Sequence, residues 1–360
     1  MRLLKTRSKT VHAVTFFAMN LFFKKLGQTV LKRWQNKNFS PAVFPEIAKQ
    51  ALEEHPPSDH INSDIFIREF LFDEEQPFQM QSGFGQPEIV VFDHPRFYIQ
   101  LLFWLDGTTD IHQHMFSGAF HVLHGSSLHS LYEFRNAESI STHLRVGNVH
   151  LSETQLLEKG RTVEITSGSG FIHSLFHLDT PSVTVVVRTH HDPGSGPQFT
   201  YLPPHIAVDP LHNDALTNRR KQLLDLLEIT NDPGYPEIVS KMVGELDFER
   251  GFFILQNCVK QLHEFGSWDD VWSVFEHKHG RLAQFIQPTV EEIVRRDALV
   301  TLRSIITDVE HRFFLALMLT VLNRKEFLRL TPEYAQNAGL RAFSLTGSAG
   351  DEAQFPGGTS

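Results

Sequence analysis

Only one cysteine, Cys258, occurs in the 360 residues of the chain, so an internal disulfide framework is excluded. Cys258 lies in the helical pattern "GFFILQNCVKQLHEF" with no basic cluster around it, and we expect an inert core cysteine rather than a catalytic thiol. Long apolar runs are also missing. The stretch 11–23 is too short to span a bilayer and lacks the small-residue cleavage site of a secretory signal. These absences predict a soluble, cytoplasmic protein.

Acidic residues are absent from the first 45 positions, which hold nine Lys or Arg although the net charge of the chain is −9. The strongly acidic remainder is unsuited to nucleic acid as the main partner. Within the basic lead, an amphipathic helix is predicted by apolar residues at helical spacing, namely Phe22, Phe23, Leu26, Val30, Leu31 and Trp34. We favour a helix docked on its own domain, and contact with an anionic membrane is the alternative.

The chain changes character near residue 205. Before it, short runs such as "FYIQLLFWLDG" and "SVTVVVRT" are bounded by Gly, Pro, Asp or Ser, which predicts a β sandwich or barrel. After it, apolar residues recur at i, i+3, i+4 and i+7, as in "LTNRRKQLLDLLEI", which predicts helices. We therefore predict a basic helical lead over 1–58, a β barrel over 59–205, a helical domain over 206–345 and a disordered tail over 346–360.

Two histidines one residue apart, His112 and His114, occur in the segment "TTDIHQHMFSGAFHVLHG". On a strand, residues two apart face the same side, so the pair has chelate spacing. A third histidine, His173, follows a glycine-rich turn in "TSGSGFIHSLFHL". Two ligands from one strand and one from its neighbour predict a metal site with open coordination positions. The alternative is chance, since the chain contains 21 histidines.

The context of this pair resembles the first motif of the cupin superfamily, G-x5-H-x-H-x3-4-E-x6-G. Gly107 stands before His112 with a spacer of four residues rather than five, and the segment runs on to Gly125. The resemblance implies a double-stranded β-helix, a jelly-roll barrel, so the predicted fold class is β plus α, with this barrel followed by an all-helical domain.

The second cupin motif, G-x5-P-x-G-x2-H-x3-N, is matched in part. The chain keeps its G-x2-H element at Gly170 and His173, with Gly168 in place of the proline and His177 in place of the asparagine. The resemblance covers about residues 85 to 205, and it places His112, His114 and His173 as metal ligands.

The glutamate ligand usual in cupins is missing, because Gly118 or Ala119 stands at its position. The three remaining histidines resemble the thiol dioxygenase branch, of which cysteine dioxygenase is a member. That resemblance implies a bound Fe(II) that takes a substrate thiolate and dioxygen side by side, with both oxygen atoms transferred to sulfur.

Other features of that branch are replaced. Its cross-linked cysteine and tyrosine fall on Ala119 and His190, and a further family histidine falls on Arg188. By strand alternation Arg188 and His190 share the face that the resemblance suggests is the barrel interior, and we take both as candidate catalytic residues. Arg188 would bind a substrate carboxylate. Alternatively, Arg188 lies at the rim and pairs with Asp192, and His190 lies in a loop.

Four further polar residues are weaker candidates. Tyr98 and Gln100 would line the cavity opposite the metal or form a solvated face. His121 would stand at best behind the ligands. His177 would hydrogen-bond near the ligands or lie on the surface.

Three functions are compatible with this site. The first is an iron-dependent oxygenase acting on a thiol or other anionic chelator together with dioxygen. The second is a zinc or nickel cupin that hydrolyses or isomerises its substrate. The third is a cupin that senses a small molecule and has the helical domain as its output. In the first case we expect that domain to cap the barrel mouth or to recruit a larger substrate, such as a carrier-bound or peptide-like one.

Overall fold

A computed structural model describes residues 2–80, 84–105 and 109–320, with side chains from residue 17 onward. The tail predicted over 346–360 and the end of the last helical pattern lie outside these ranges. The strands of the described residues are β1 Glu88–His94, β2 Phe97–Trp104, β3 Ile111–His114, β4 Gly118–His124, β5 Ser127–Ser139, β6 Leu144–Leu157, β7 Thr162–Ile165, β8 Gly168–His177, β9 Ser182–Thr189, β10 Thr200–Leu202 and β11 Ile206–Val208.

The strands form two antiparallel sheets. One has the order β1-β2-β9-β4-β7, and the other, β10-β11-β6-β5-β8-β3, closes on itself as a barrel. Apolar side chains from both sheets meet in one core cluster, which includes Trp104, Phe120 and Val186 from the first sheet and Leu157 and Leu175 from the second. The predicted cupin-like barrel combined with helices is confirmed.

Four helices precede the barrel and cover the outer face of the five-stranded sheet. They are α1 Arg2–Gln35, α2 Phe44–Glu54, α3 Pro57–His60 and α4 Ser63–Phe70, with a short 3-10 turn at Pro41–Val43. The apolar face of α1 is buried in this core, with Phe23 and Val30 fully covered and Trp34 4% exposed. The predicted helix is therefore docked on its own protein. Membrane contact by the basic lead stays a prediction.

The helices after the barrel are α5 Ala215–Ile229, α6 Tyr235–Glu245, α7 Phe248–Glu264, α8 Trp268–His279, α9 Ile286–Ile305 and α10 Val309–Thr320, with a 3-10 segment at Gly280–Phe285. They pack on the barrel through Leu144 and Val146 of β6 and Ile206 and Val208 of β11. Since β11 pairs with β6, the boundary drawn at residue 205 falls before the last barrel strand. The other domain boundaries stay predictions.

Cys258 is fully buried on α7. Burial raises the pKa of its thiol to about 11, so the thiolate is scarce at neutral pH, and the expected position of this cysteine in the core is confirmed. Across the described ranges, none of the helices has both the length and the apolar character needed to cross a membrane.

Candidate metal centre

Two paired strands bring the predicted ligands together. His112 and His114 are two apart on β3, so their side chains face the same side. His173 on β8 is the cross-strand partner of His112. All three are buried, with exposures of 6%, 4% and 3% in chain order, and their ring centroids lie 4.7 to 5.0 Å apart.

The three imidazoles fit a metal ion. Their nearest ligand nitrogens all lie within 4.8 Å of one another, and Nε2 of His114 is 2.9 Å from Nε2 of His173. Nδ1 of His112 lies 2.7 Å from the carbonyl oxygen of Asp110 and donates to it, which leaves a lone pair on Nε2. Within the described residues this buried Nε2 has no hydrogen-bond partner. Such an orphaned nitrogen beside two other imidazoles is what a metal ligand requires.

Burial keeps the cluster neutral. Desolvation lowers the pKa of His112 and lowers the pKa values of His114 and His173 well below the ordinary value for histidine. Nearby His112 and Arg188 lower the pKa of His114 further. Metal ions bind neutral imidazole, so the cluster needs no deprotonation at neutral pH.

A further buried histidine, His129 on β5, lies directly behind the three-histidine cluster. It was not predicted from the sequence. Its Nε2 lies 3.0 Å from Nδ1 of His173, and its own Nδ1 lies 3.4 Å from Nε2 of Gln155 on β6. Burial lowers the pKa of His129 to about 3. The sequence places His129 on a strand, "LHSLYEF", but only the register between β5 and β8 shows which histidine it contacts.

Gly118 explains the missing carboxylate ligand. A Cβ at Gly118 would stand 2.0 Å from the carbonyl oxygen of Val187 and 2.9 Å from Cα of Arg188, because β4 runs very close to β9 here. No side chain of any kind fits at this position. Ala119 faces the opposite way, into the core beneath the N-terminal helices. The backbone therefore leaves no room at position 118 for the glutamate that the cupin resemblance would place there.

The histidines form part of the wall of a small, mainly apolar pocket. Its other walls are Phe84, Gln100, Leu102, Trp104, Thr109, Phe116, Phe120, Ile165, Leu175, Thr184 and Val186. The free interior measures about 30 Å³, which is room for one or two water-sized ligands. Phe84, 36% exposed, lies at the mouth, with its ring 6.3 Å from that of His112.

Arg188 lies beside the cluster without lining the pocket. Its guanidinium carbon sits 3.2 Å above the ring of Phe116, and that ring packs 4.4 Å from His114. Burial lowers the pKa of Arg188 to about 10, so it stays cationic at neutral pH. In the described part of the chain it forms no ion pair, and Asp192 instead accepts a hydrogen bond from Thr189. The geometry thus differs from the proposed pairing of Arg188 with Asp192.

His190 lies elsewhere. It is exposed just beyond the end of β9, where its Nε2 is 3.0 Å from the carbonyl oxygen of His94 and its ring contacts Tyr98 rather than the three-histidine cluster. The strand ends at Thr189, so the alternation that would point His190 inward no longer applies. The structure therefore does not support the prediction that His190 faces the barrel interior.

The structure also distinguishes between the alternative interpretations of the weaker candidates. Gln100 is 1% exposed and lines the pocket, as one of the two interpretations predicted. His121 bonds Thr162 instead of approaching the ligands. His177 is fully buried, bonded to Ser127 and stacked on Trp104, so it is not a surface residue. Gly107 of the first motif lies outside the described residues.

No protein-family model and no curated protein matches the sequence. Solved structures with a similar fold include a cupin-2 domain protein from Shewanella frigidimarina, at 14% identity, over 36% of this chain and 94% of that one, with a TM-score of 0.22. A protein with a double-stranded β-helix domain from Klebsiella pneumoniae matches at 16% identity, over 34% and 95%, with a TM-score of 0.22.

Hydroquinone 1,2-dioxygenase from a Sphingomonas species matches at 10% identity, over 30% of this chain and 68% of that one, with a TM-score of 0.23. Similarities at this level carry no argument about function. The fold of this chain rests on its own strand pairing, and its site rests on the positions of its own histidines.

Proposed function

We propose that the protein is a non-haem iron-dependent oxygenase that dioxygenates a thiol-containing or similar anionic, chelating metabolite. The observation that supports this most is the convergence of His112, His114 and His173 as buried, neutral imidazoles, with Gly118 excluding a carboxylate ligand. Bound Fe(II), for which imidazole is a suitable ligand, would supply an uncompensated dipositive centre with open positions for substrate and dioxygen.

Arg188 is the residue proposed to hold a carboxylate of the substrate, which would have to reach past Phe116 because Arg188 itself does not line the pocket. Its charge is retained despite burial, and within the described residues its Nε donates only to the carbonyl oxygen of Thr189, at 3.3 Å. A guanidinium without a carboxylate partner can bind one in bidentate fashion. His190, exposed and bonded to His94, has no part in the proposal.

The pocket walls are proposed to orient the substrate and exclude water. Apolar side chains make up most of the wall, and Gln100 presents a buried amide oxygen that no group in the described residues bonds. Because the free interior is about 30 Å³, a thiol substrate would need the pocket to widen, and we propose that the partly exposed Phe84 moves to make room. Recruitment of a carrier-bound or peptide-like thiol by the helices after the barrel remains a prediction from the sequence.

The deciding experiment is metal analysis of anaerobically purified protein, followed by oxygen uptake on adding cysteine, cysteamine or 3-mercaptopropionate. We expect about one iron per chain and uptake that depends on the thiol. His112→Ala, His114→Ala and His173→Ala should each lose the metal while remaining folded. His121→Ala, which removes a buried histidine outside the cluster, should retain it.

Arg188→Met adds a sharper test, because cysteine and 3-mercaptopropionate have a carboxylate and cysteamine has none. The variant should raise KM for the first two by about tenfold or more, since one charged hydrogen-bonded contact contributes about 1.5 to 3 kcal/mol, and leave KM for cysteamine unchanged. Zinc or nickel in place of iron with no thiol-dependent oxygen uptake would overturn the proposal and favour a hydrolase, an isomerase or a ligand-sensing protein.

A further inference from the structure

A line of hydrogen bonds runs from the surface of β6 to the metal-ligand cluster. It connects the amide of Gln155 to His129, His129 to His173, and His173 to His114. The three histidines are 0%, 3% and 4% exposed in that order, so their ring nitrogens have no ready exchange with bulk water. Each link must therefore be satisfied by one donor and one acceptor.

The direction of these hydrogen bonds follows from the orientation that the Gln155 amide has in the structure, with Nε2 towards His129. Nε2 of Gln155 can only donate, so Nδ1 of His129 accepts and the proton of that ring is on Nε2. Nε2 of His129 then donates to Nδ1 of His173, which places the proton of His173 on Nε2. That proton fills the 2.9 Å gap to Nε2 of His114, where two facing lone pairs would repel.

The ring positions fit a metal ion, but this tautomer of His173 cannot bind one. A ligand nitrogen must present a lone pair. Nε2 of His173 carries a proton as long as Gln155 donates to His129 and His129 donates to Nδ1 of His173. Coordination through Nε2 requires the proton of His173 on Nδ1, where it donates to Nε2 of His129. The proton of His129 is then on Nδ1 and needs an acceptor. The side-chain oxygen of Gln155 accepts it once the amide has rotated so that its oxygen, and not its nitrogen, faces His129.

We propose that Gln155 and His129 are positioning residues that set which nitrogen of His173 carries its proton. Metal loading then exchanges the donor and acceptor in each of the hydrogen bonds that join Gln155, His129 and His173. Each imidazole holds one proton before and after, so the reversal needs no net uptake or release. The inference rests on the metal centre of the proposed function, but not on iron or on oxygenation. Partners behind a metal-ligating histidine typically change metal affinity by 10 to 100-fold.

The test measures the full-length protein with Zn²⁺ and Co²⁺ as probes. The nitrogen-15 chemical shifts of His173 should show the proton on Nε2 without metal and on Nδ1 with Zn²⁺. Gln155→Glu can only accept, so in this variant the proton should be on Nδ1 even without metal and Co²⁺ should bind at least tenfold more tightly. Gln155→Met, which offers neither donor nor acceptor, should bind Co²⁺ at least tenfold more weakly than the wild type.

Glu153→Gln, an exposed change two residues earlier on the same strand, is the matched control and should alter Co²⁺ affinity by less than twofold. The inference is overturned if Zn²⁺ binds but His173 keeps the same protonated nitrogen. It is also overturned if Gln155→Glu strengthens binding without moving the proton, since the added negative charge would then account for the gain. Failure of the wild type to bind Zn²⁺ or Co²⁺ at all would instead overturn the metal centre itself.

Discussion

Individual residues of the site differ in how far the sequence determines them. His112 and His114 follow from strand alternation alone, because residues two apart share a face. His173 was expected from the glycine-rich turn before a new apolar segment, and the resemblance to the second cupin motif agrees with it. His129 and Gln155 could not be predicted, since they meet their partners across 44 and 26 residues of chain and depend on a strand register that no local pattern encodes. His190 lies exposed just beyond the end of β9, which agrees with the loop alternative and not with a position in the barrel interior.

Gly118 gives a prediction at this scale. Gly118→Ala should destabilise the protein by about 3 kcal/mol or more in urea unfolding, because overpacking of a tight core costs about 1 to 3 kcal/mol and here the added Cβ meets rigid backbone at 2.0 Å. Gly118→Glu should not restore a fourth metal ligand for the same reason.

Gly170→Ala is the control for that substitution. Its Cβ would meet only the hydroxyl of Thr166, at 3.3 Å, so a change within about 1 kcal/mol is expected, the usual cost of a glycine change in a strand. Equal losses of stability in the two variants would show that the close approach of β4 to β9 is not what excludes a side chain at position 118.

At the scale of elements, most strands and helices were predictable where their apolar pattern is regular. The apolar runs of β2, β9 and α7 are regular, and the sequence predicts all three. β6, Leu144–Leu157, is hard to predict because its exposed and half-buried residues do not alternate strictly and its pairing with β5 contains two register shifts. α6 is hard to predict because its pattern spans only 11 residues. The spacing of apolar residues does not predict an element reliably where its side chains are only partly buried.

The docking of α1 leads to a second prediction. Phe23 is fully buried against α4 and the five-stranded sheet, whereas Phe17 is 70% exposed on the same helix. Phe23→Ala should cost about 3 to 5 kcal/mol of unfolding free energy, and Phe17→Ala should change it by about 0.5 kcal/mol or less. Both are measured by urea unfolding followed through tryptophan fluorescence. Similar effects of the two changes would mean that α1 does not dock on the sheet in solution.

For the molecule as a whole, helices on both sides enclose the barrel and remove its buried histidines from water. The N-terminal helices cover one sheet, and α9 and α10 cover β5 and β8, where Arg303 donates to the carbonyl oxygen of His177 at 2.8 Å. This enclosure is the reason that several histidines are kept neutral. Pocket position and neutrality are consequences of this packing between elements, and the sequence alone could not predict them.

This enclosure predicts how stability depends on pH. Burial lowers the pKa of His121 to about 4 and that of His177 to about 3, whereas both titrate near 6.5 once unfolded. Below pH 6.5 these histidines are therefore protonated in the unfolded chain but still neutral in the folded protein. The free energy of unfolding falls with falling pH until the pKa of the folded state is reached. Each such histidine should lower the free energy of unfolding by about 1.4 kcal/mol between pH 7.5 and 5.5.

Urea unfolding of the metal-free protein at the two pH values measures this loss of stability. His121→Gln should reduce that loss by about 1.4 kcal/mol, while His124→Gln, at an exposed position of the same strand, should leave it unchanged. A loss that is the same in the wild type and His121→Gln would show that His121 is protonated in the folded protein, and so that water reaches the face of β4 beneath α3.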